Sequence, residues 1–245
     1  MITIVQGKRV FKIYADRVPL RDVFGFSYYT AFRGSTFAPM HHFRKKTITI
    51  DLSRSEEEIF SAYKSNTRNE VRRAAREGHL FEQSCTEEFV PFYNAFAKEK
   101  KLGQISEKDI TQYPECLIFK SVHEGRTLSM HANLVDRETG TVRLLYSCRE
   151  RLESGADTKA IGLSNRYLHH MELLRFKQDG FKTYDFAGIN EDPAAVEQYR
   201  ITQFKKCFGG KVEDVLFLTS LPAWIYDSLS RLKNIFHFLH RSDRR

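Results

Sequence analysis

The chain has 245 residues and few cysteines: four, at Cys85, Cys116, Cys148 and Cys207. None forms a C-x-x-C pair, and no His/Cys group has the spacing of a zinc site. A disulfide framework and a structural zinc module are therefore not expected, and the thiols read as small, reduced, apolar residues. No apolar run approaches the ~20 residues that a membrane-spanning helix needs. The opening MITIVQGKRVFKIYADR has no basic-then-apolar signal pattern, so the expectation is a cytoplasmic protein. There is no P-loop, no GxGxxG, no HExxH and no GxSxG, which removes the sequence signals for several common chemistries.

What the chain does contain is enough apolar material for a sizeable core: 41% hydrophobic and 13% aromatic residues. The net charge of +8 suits a polyanionic partner such as tRNA, a nucleotide-linked substrate, CoA or an anionic membrane face. It suits a protein without such a partner equally well, so charge does not choose.

Two short strands, Thr3–Val5 and Val10–Tyr14, flank a turn at Gly7-Lys8. The aromatic segment RDVFGFSYYTAFRGSTFAPMHHF shows no period and is expected to pack on the next domain. Its adjacent His41 and His42 diverge and read as structural or surface residues. Thr47–Leu52 alternates as a strand. A single helix capped by Ser53 or Ser55 then runs to Gly78, with Ile59, Tyr63, Thr67, Val71 and Ala74 on one face. Arg68, Arg72 and Arg76 recur every fourth residue opposite. That stripe is either a solvated face or a rail for phosphates.

Next come a strand at Leu80–Cys85, a helix at Glu87–Lys100 and a short helix from Ser106 to Tyr113. Strands at Cys116–His123, Thr127–Val135 and Thr141–Ser147 have short turns, which makes them an antiparallel meander. A helix at Leu163–Lys177 carries His169 and His170 on different faces, both read as exposed or core residues. A strand at Thr183–Phe186 leads to a helix that ends near Cys207. Gly209-Gly210 stop it, and a new strand starts at Lys211. From residue 220 on, Leu221, Ile225, Leu229, Leu232, Phe236 and Leu239 form one stripe with arginines and lysines beside it. It is expected to pack on its own domain or on a partner, with an anionic membrane surface as the alternative.

Two polar residues stand out in apolar company. Asp185 lies between Tyr184 and Phe186, and Lys205 follows Phe204. A lysine there either snorkels or is placed for use.

The pair YDFAGI (184–189) and FKKCFGG (204–210) resembles the Fem family of peptidoglycan bridge aminoacyltransferases and the wider Fem-like and BioF-like domains of the acetyltransferase (GNAT) fold. TRNEVRRAAREG is similar to the TRxxIRxAxxxG segment of the same proteins. The resemblance covers about Thr47 to Leu218. It implies an α/β (α+β) GNAT-like acyltransferase fold, a mixed, mostly antiparallel sheet flanked by helices. The corresponding division is 1–46 as an N-terminal remnant, 47–219 as the GNAT-like domain and 220–245 as an amphipathic helix with a basic tail.

The resemblance also implies chemistry. Strands of such a sheet splay apart, an activated acyl donor sits in the gap, and the acceptor amine enters from the other side. Lys205 would stabilise the carbonyl oxyanion or neutralise the departing ribose oxygen, with Phe204 as a positioning or stacking surface. Asp185 would face the cleft and hold the acceptor amine or take its proton; capping a loop stands beside that as an equal alternative. Arg68, Arg72, Arg76, Tyr146, Lys159, Gly162 and Asn165 are the substrate-binding candidates. Lys159 to Ser164 (KAIGLS) resembles a degraded Q/R-x-x-G-x-G/A loop of the CoA-binding relatives. The donor is therefore aminoacyl-tRNA or acyl-CoA, with no metal and no tightly bound cofactor. The chain is short for the two-domain Fem enzymes, so an amino sugar, a natural-product amine or a surface-polysaccharide intermediate is as good an acceptor as peptidoglycan. Two other readings stay open: a CoA-dependent N-acetyltransferase, and a non-catalytic nucleic-acid or membrane-surface binding protein using the arginine stripe and the C-terminal helix.

Overall fold

The computed structural model describes residues 1–35, 39–150 and 157–230. It divides into two compact units: Met1–Lys45 with the chain from Asp214, and Lys46–Glu213.

In the first unit, β1 (Ile2–Gln6) and β2 (Arg9–Ile13) form a hairpin in which Gly7 holds φ +59°. Glycine adopts that angle without steric cost. A short helix α1 (Leu20–Phe24) precedes β3 (Phe26–Phe32), which runs parallel to β2. The aperiodic aromatic segment thus contains a strand, with Tyr29 and Phe32 in the core beside Val23, Met40 and Leu218. β10 (Lys211–Ser220) pairs antiparallel with β3 through Leu218↔Tyr29. That pairing is why the C-terminal segment groups with the first 45 residues rather than standing apart. A final helix, α8, occupies 221–230. It buries Ala223, while Leu221, Ile225 and Leu229 of the predicted stripe are exposed. The side that packs is the one carrying Tyr226 and Asp227, against Phe26, Tyr28 and Arg9. The expectation that the leucine stripe packs on its own domain is corrected for these positions. Leu232, Phe236 and Leu239 lie outside the described residues, as do residues 151–156 of the loop before the long helix.

The second unit is built on six strands in the order β4-β9-β8-β7-β6-β5. These are β4 (Met40–Asp51), β5 (Leu80–Ser84), β6 (Cys116–His123), β7 (Arg126–Asp136), β8 (Thr141–Arg149) and β9 (Thr183–Ile189). β5 to β8 pair antiparallel, β8 and β9 pair parallel, and β9 and β4 pair antiparallel. This is the expected mixed, mostly antiparallel sheet, including the β6-β7-β8 meander. The helices are α2 (Glu56–Ser61), α3 (Ser65–Arg76), α4 (Thr86–Lys100), α5 (Glu107–Thr111), α6 (Thr158–Gln178) and α7 (Val196–Lys206). No helix among the described residues is long and apolar enough to cross a membrane.

The stretch expected as one helix from Ser55 to Gly78 is two. Ser55 and Glu58 form a capping box at the start of α2. The break after it is held by Arg68, whose guanidinium donates to the carbonyls of Ser61 and Tyr63, and by Lys64 N–H donating to Cys207 O at 2.9 Å. The core of this unit joins Ile48, Ile50, Ile59, Phe119, Phe176, Tyr184, Phe186 and Phe208. Truncating such a phenylalanine to alanine costs about 3–5 kcal/mol.

Candidate active site

β8 and β9 start as a paired ladder and then part. Their register runs through Thr141↔Thr183, Val142↔Tyr184 and Arg143↔Asp185 and ends there. Both strands continue, to Arg149 and Ile189, without further pairing to each other. Asp185 marks the fork. One carboxylate oxygen accepts Arg143 at 2.7 Å; the other accepts the Thr47 hydroxyl and the Ala187 N–H, the latter at 2.8 Å. Ala187 has φ 61°, a left-handed angle that costs a non-glycine residue about 1 kcal/mol. The Asp185 bond to its N–H holds the chain in that turn, and the turn carries β9 away from β8.

A cavity of about 620 Å³ opens where the strands separate. Its walls come from β8 (Leu144, Ser147, Cys148, Arg149), β9 (Phe186, Ala187), α6 (Asn165, His169) and α7 (Arg200, Ile201, Phe204, Lys205), with Phe96 and Lys100 from α4 and Leu102 just beyond it. Lys100, Arg149, Arg200 and Lys205 line it with one acid, Glu197; Glu99 pairs with both Lys100 and Arg149, and the cationic excess that remains favours an anionic ligand on apolar walls.

Lys205 reaches this space from the last turn of α7. Its Nζ donates to Gly188 O at 2.8 Å. Burial strips hydration from the ammonium and brings its pKa down to about 8; Asp185 works against that shift and Arg143 adds to it. Phe204 packs its ring on His169 at 5.6 Å and Phe208 at 5.5 Å, and Arg166 lies over its face at 5.1 Å. The second half of FKKCFGG packs instead. A Cβ on Gly209, which has φ +71°, would stand 2.2 Å from Ala62 O, and one on Gly210 would stand 2.5 Å from Ile48 Cγ2. Only glycine lets this backbone close on α2 and β4.

The other predicted residues separate into three groups. Asn165 lines the cavity with Lys205 and Phe204. Asp185 does not: it is 2% exposed, and its carboxylate is engaged in shaping the fork, so the expectation that it faces the cleft is corrected. Tyr146 also turns away, into the aromatic cluster of Phe89 and Tyr93, because a bulge between Leu144 and Tyr146 puts the two on opposite faces of β8. Arg68 serves the α2–α3 break, and Arg72 lies over Phe60 at 5.1 Å. Arg76, Lys159 and Gly162 line a separate cavity of about 510 Å³ with Arg73. The three arginines therefore do not form one rail. The KAIGLS stretch is helical, since α6 starts at Thr158, five residues before the expected Leu163. Asp157 caps it: its side chain takes Lys159 N–H at 2.8 Å, and its carbonyl takes Ile161 N–H at 3.0 Å. Those donors are spent within the helix, which removes the loop-like pyrophosphate cradle.

Sequence reading missed a buried polar cluster at the cavity wall. His131 of β7 meets Glu172 of α6 through Nδ1 at 2.8 Å and Asn165 through Nε2 at 2.9 Å. Asn133 Nδ2 donates to the other Glu172 oxygen at 2.7 Å, and Tyr184 OH donates to Glu172 at 3.4 Å. His169 Nδ1 lies 3.7 Å from Glu172, and its ring overlaps that of His131 at 4.1 Å with a 34° tilt. His169 and Glu172 sit at i, i+3 on one helix, a spacing visible in the sequence. His131, from a strand over thirty residues earlier, has no local signal. His131, His169 and Glu172 are the described residues best placed to hold a metal. Their ligand atoms all lie within 4.8 Å of one another, while His131 already spends both ring nitrogens on Glu172 and Asn165.

No protein-family model matches the sequence, and no curated relative was found. Solved structures do match. FemX superposes with a TM-score of 0.62 at 14% identity, over 74% of this chain and 63% of that one. The C-terminal domain of a putative lysylphosphatidylglycerol synthetase from Agrobacterium fabrum gives 0.60 at 13% identity, over 89% and 80%. L-PGS from Bacillus licheniformis gives 0.59 at 13% identity, over 92% and 83%. The chain thus spans less than two thirds of the FemX structure and most of each synthetase domain. With its forked sheet, this protein shares the fold of FemX and of these two structures.

Proposed function

We propose that the protein is an acyltransferase that moves an aminoacyl or acyl group from an activated ester to an amine. The observation that carries this reading is the Lys205 ammonium in the fork, half-buried and beside the Gly188 carbonyl. An ester carbonyl in the cavity would gain negative charge as the amine attacks. A cation in a partly dry slot stabilises that charge without reorganising. Lys205 would then give its proton to the departing ribose oxygen, a transfer eased by a pKa near 8. Phe204 supplies a flat wall for positioning, and Arg149 and Arg200 attract an anionic donor.

Aminoacyl-tRNA is the favoured donor, and acyl-CoA the alternative. The helical KAIGLS segment spends the N–H groups that a CoA pyrophosphate would need. The names of the two synthetase neighbours support an aminoacyl donor and a cell-envelope setting. The acceptor is read as a small or nucleotide-linked amine. A cytoplasmic protein resting on the inner membrane face through the exposed Leu221, Ile225 and Leu229 fits that setting. The purely binding alternative loses ground because Arg68 and Arg72 are committed to packing.

The test is thermal stabilisation by aminoacyl-tRNA and by acyl-CoAs in parallel, followed by transfer to an amine acceptor. A donor at a hundred times its Kd stabilises the fold by about 2.7 kcal/mol. The reading predicts stabilisation by charged tRNA, and transfer that Lys205→Ala lowers at least about a hundredfold. If neither donor stabilises the protein, the reading is wrong.

A further inference from the structure

We propose that the first unit is a docking surface for an anionic phospholipid bilayer, which takes Phe43 and Trp224 at headgroup level and the Lys45 ammonium against its phosphates. This surface extends past Leu221, Ile225 and Leu229 onto the sheet, and docking uses no part of the transfer chemistry.

The charge of the chain is unevenly spread. Met1–Lys45 and Asp214–Arg245 together hold 13 Lys and Arg against 5 Asp and Glu, a net +8. Lys46–Glu213 hold 26 of each and are neutral. The whole excess of +8 therefore belongs to the first unit, and the unit with the candidate active site has none. A polyanionic surface is drawn to the first unit.

The same unit presents aromatic rings beside a cation. Met40 of β4 and Leu216 and Leu218 of β10 turn into the core. Side chains alternate along a strand, so His41, Phe43 and Lys45, with Phe217 of neighbouring β10, stand on the opposite face. Phe43 and Phe217 stack at 5.1 Å with a 19° tilt, and the Lys45 ammonium lies over the two rings at 5.4 and 5.0 Å. That cation–π contact keeps the charge at the level of the rings. His41 stacks on Trp224 of α8 at 5.2 Å, which joins the helix to this row.

α8 packs on the sheet through Tyr226 and Asp227. Its other side carries Leu221, Ile225 and Leu229, spaced by four residues and so on one helical face. With Trp224 and Phe43, these side chains are between 39% and 55% exposed. An apolar strip thus runs from the helix to the Lys45 cation. Aromatic rings at a charged rim beside aliphatic side chains suit a membrane interface. Nucleic-acid bases would stack on the rings and leave the aliphatic chains in water. A second copy of the chain would bring two units of +8 together. An anionic bilayer satisfies both the charge and the apolar strip. No helix among the described residues is long and apolar enough to cross a membrane, so the contact is interfacial.

Trp224 is the sole tryptophan of the chain, so its fluorescence reports docking in the wild type without any variant. The full chain is mixed with vesicles of phosphatidylglycerol and, separately, of phosphatidylcholine, and co-sedimentation is measured alongside. Phosphatidylglycerol should bind the protein and shift Trp224 emission to shorter wavelength. Phosphatidylcholine should bind at least about tenfold more weakly. Added salt should release the protein by screening the charge. Phe43→Ser should weaken binding about tenfold. Lys45→Gln should weaken it about fivefold on phosphatidylglycerol and leave phosphatidylcholine unchanged. Both side chains are exposed, so the melting curves and the rate of transfer to a water-soluble amine should match the wild type.

Docking on anionic lipid is refuted if the wild type ignores phosphatidylglycerol vesicles or binds both lipids alike. An unshifted Trp224 emission on vesicle-bound protein refutes it too. So does a dimer in sedimentation that dissociates in Trp224→Ser. If vesicles are ignored while tRNA binds and both Phe43→Ser and Lys45→Gln weaken that binding, the surface serves RNA instead. A wild type that docks as described but transfers no acyl group supports this surface and removes the acyltransferase reading alone.

Discussion

Lys205→Met should separate stability from activity in a way that depends on pH. In the folded protein the ammonium has a pKa of about 8, against about 10.4 for a free lysine. Between these values the unfolded chain binds more protons than the folded one, so stability rises with pH. Below pH 8 the charged lysine is a net cost. The full shift corresponds to about 3 kcal/mol, and solvent contact through the open cavity reduces it to about 1–2 kcal/mol. Losing the bond to Gly188 O gives back about 1 kcal/mol or less, since water can reach that carbonyl. At pH 7 the methionine variant should therefore be as stable as the wild type or up to about 2 kcal/mol more stable, a rise in Tm of a few degrees. Its advantage should vanish as pH climbs from 8 to about 10.4. Denaturant unfolding at several pH values measures the difference directly, and the transfer assay should show activity lost. A variant less stable at pH 7, with a deficit independent of pH, would mean that the lysine is a solvated surface residue and the argument for a dry slot is wrong.

Four further substitutions test the frame. Gly209→Ala puts a Cβ 2.2 Å from Ala62 O at a positive φ, so at least about 3 kcal/mol should be lost in thermal unfolding. Asp185→Asn removes a buried negative charge 2.7 Å from Arg143, itself 12% exposed; about 3–5 kcal/mol should be lost in urea titrations. Arg68→Gln should cost about 1–2 kcal/mol of stability through the Ser61 and Tyr63 carbonyls and leave donor affinity unchanged. Arg76→Gln should leave stability unchanged, and a change in the salt dependence of tRNA binding would show that its cavity meets phosphate.

Strands with period-two patterning were legible almost to the residue: β6 occupies the expected Cys116–His123. The α2–α3 break was not, because Ile59 to Ala74 keeps a helical period across it. The interruption is held by Arg68, whose side-chain bonds to backbone carbonyls leave no mark on the periodicity, and by Cys207, which lies far along the chain. β3 was hidden by an aromatic run with no alternation, which becomes a strand only by pairing with β2 and β10. At the site, Phe204 and Lys205 could be singled out because a charge among aromatics is conspicuous on its own. The roles of Asp185 and His131 are set by partners 42 and 41 residues away, Arg143 and Glu172, and no spacing rule reaches that far.

The Arg143–Asp185 contact behaves as a zipper stop, since β8 and β9 are joined up to that rung and free beyond it. Side chains in a strand repeat every two residues, so the stop can relocate only in steps of two, about 6.6 Å each. Shifting both partners one such step toward the strand ends would fasten another rung and shorten the opening by that amount. Donor size across proteins of this architecture would then be tunable by two paired substitutions, leaving the helices and the rest of the sheet where they are.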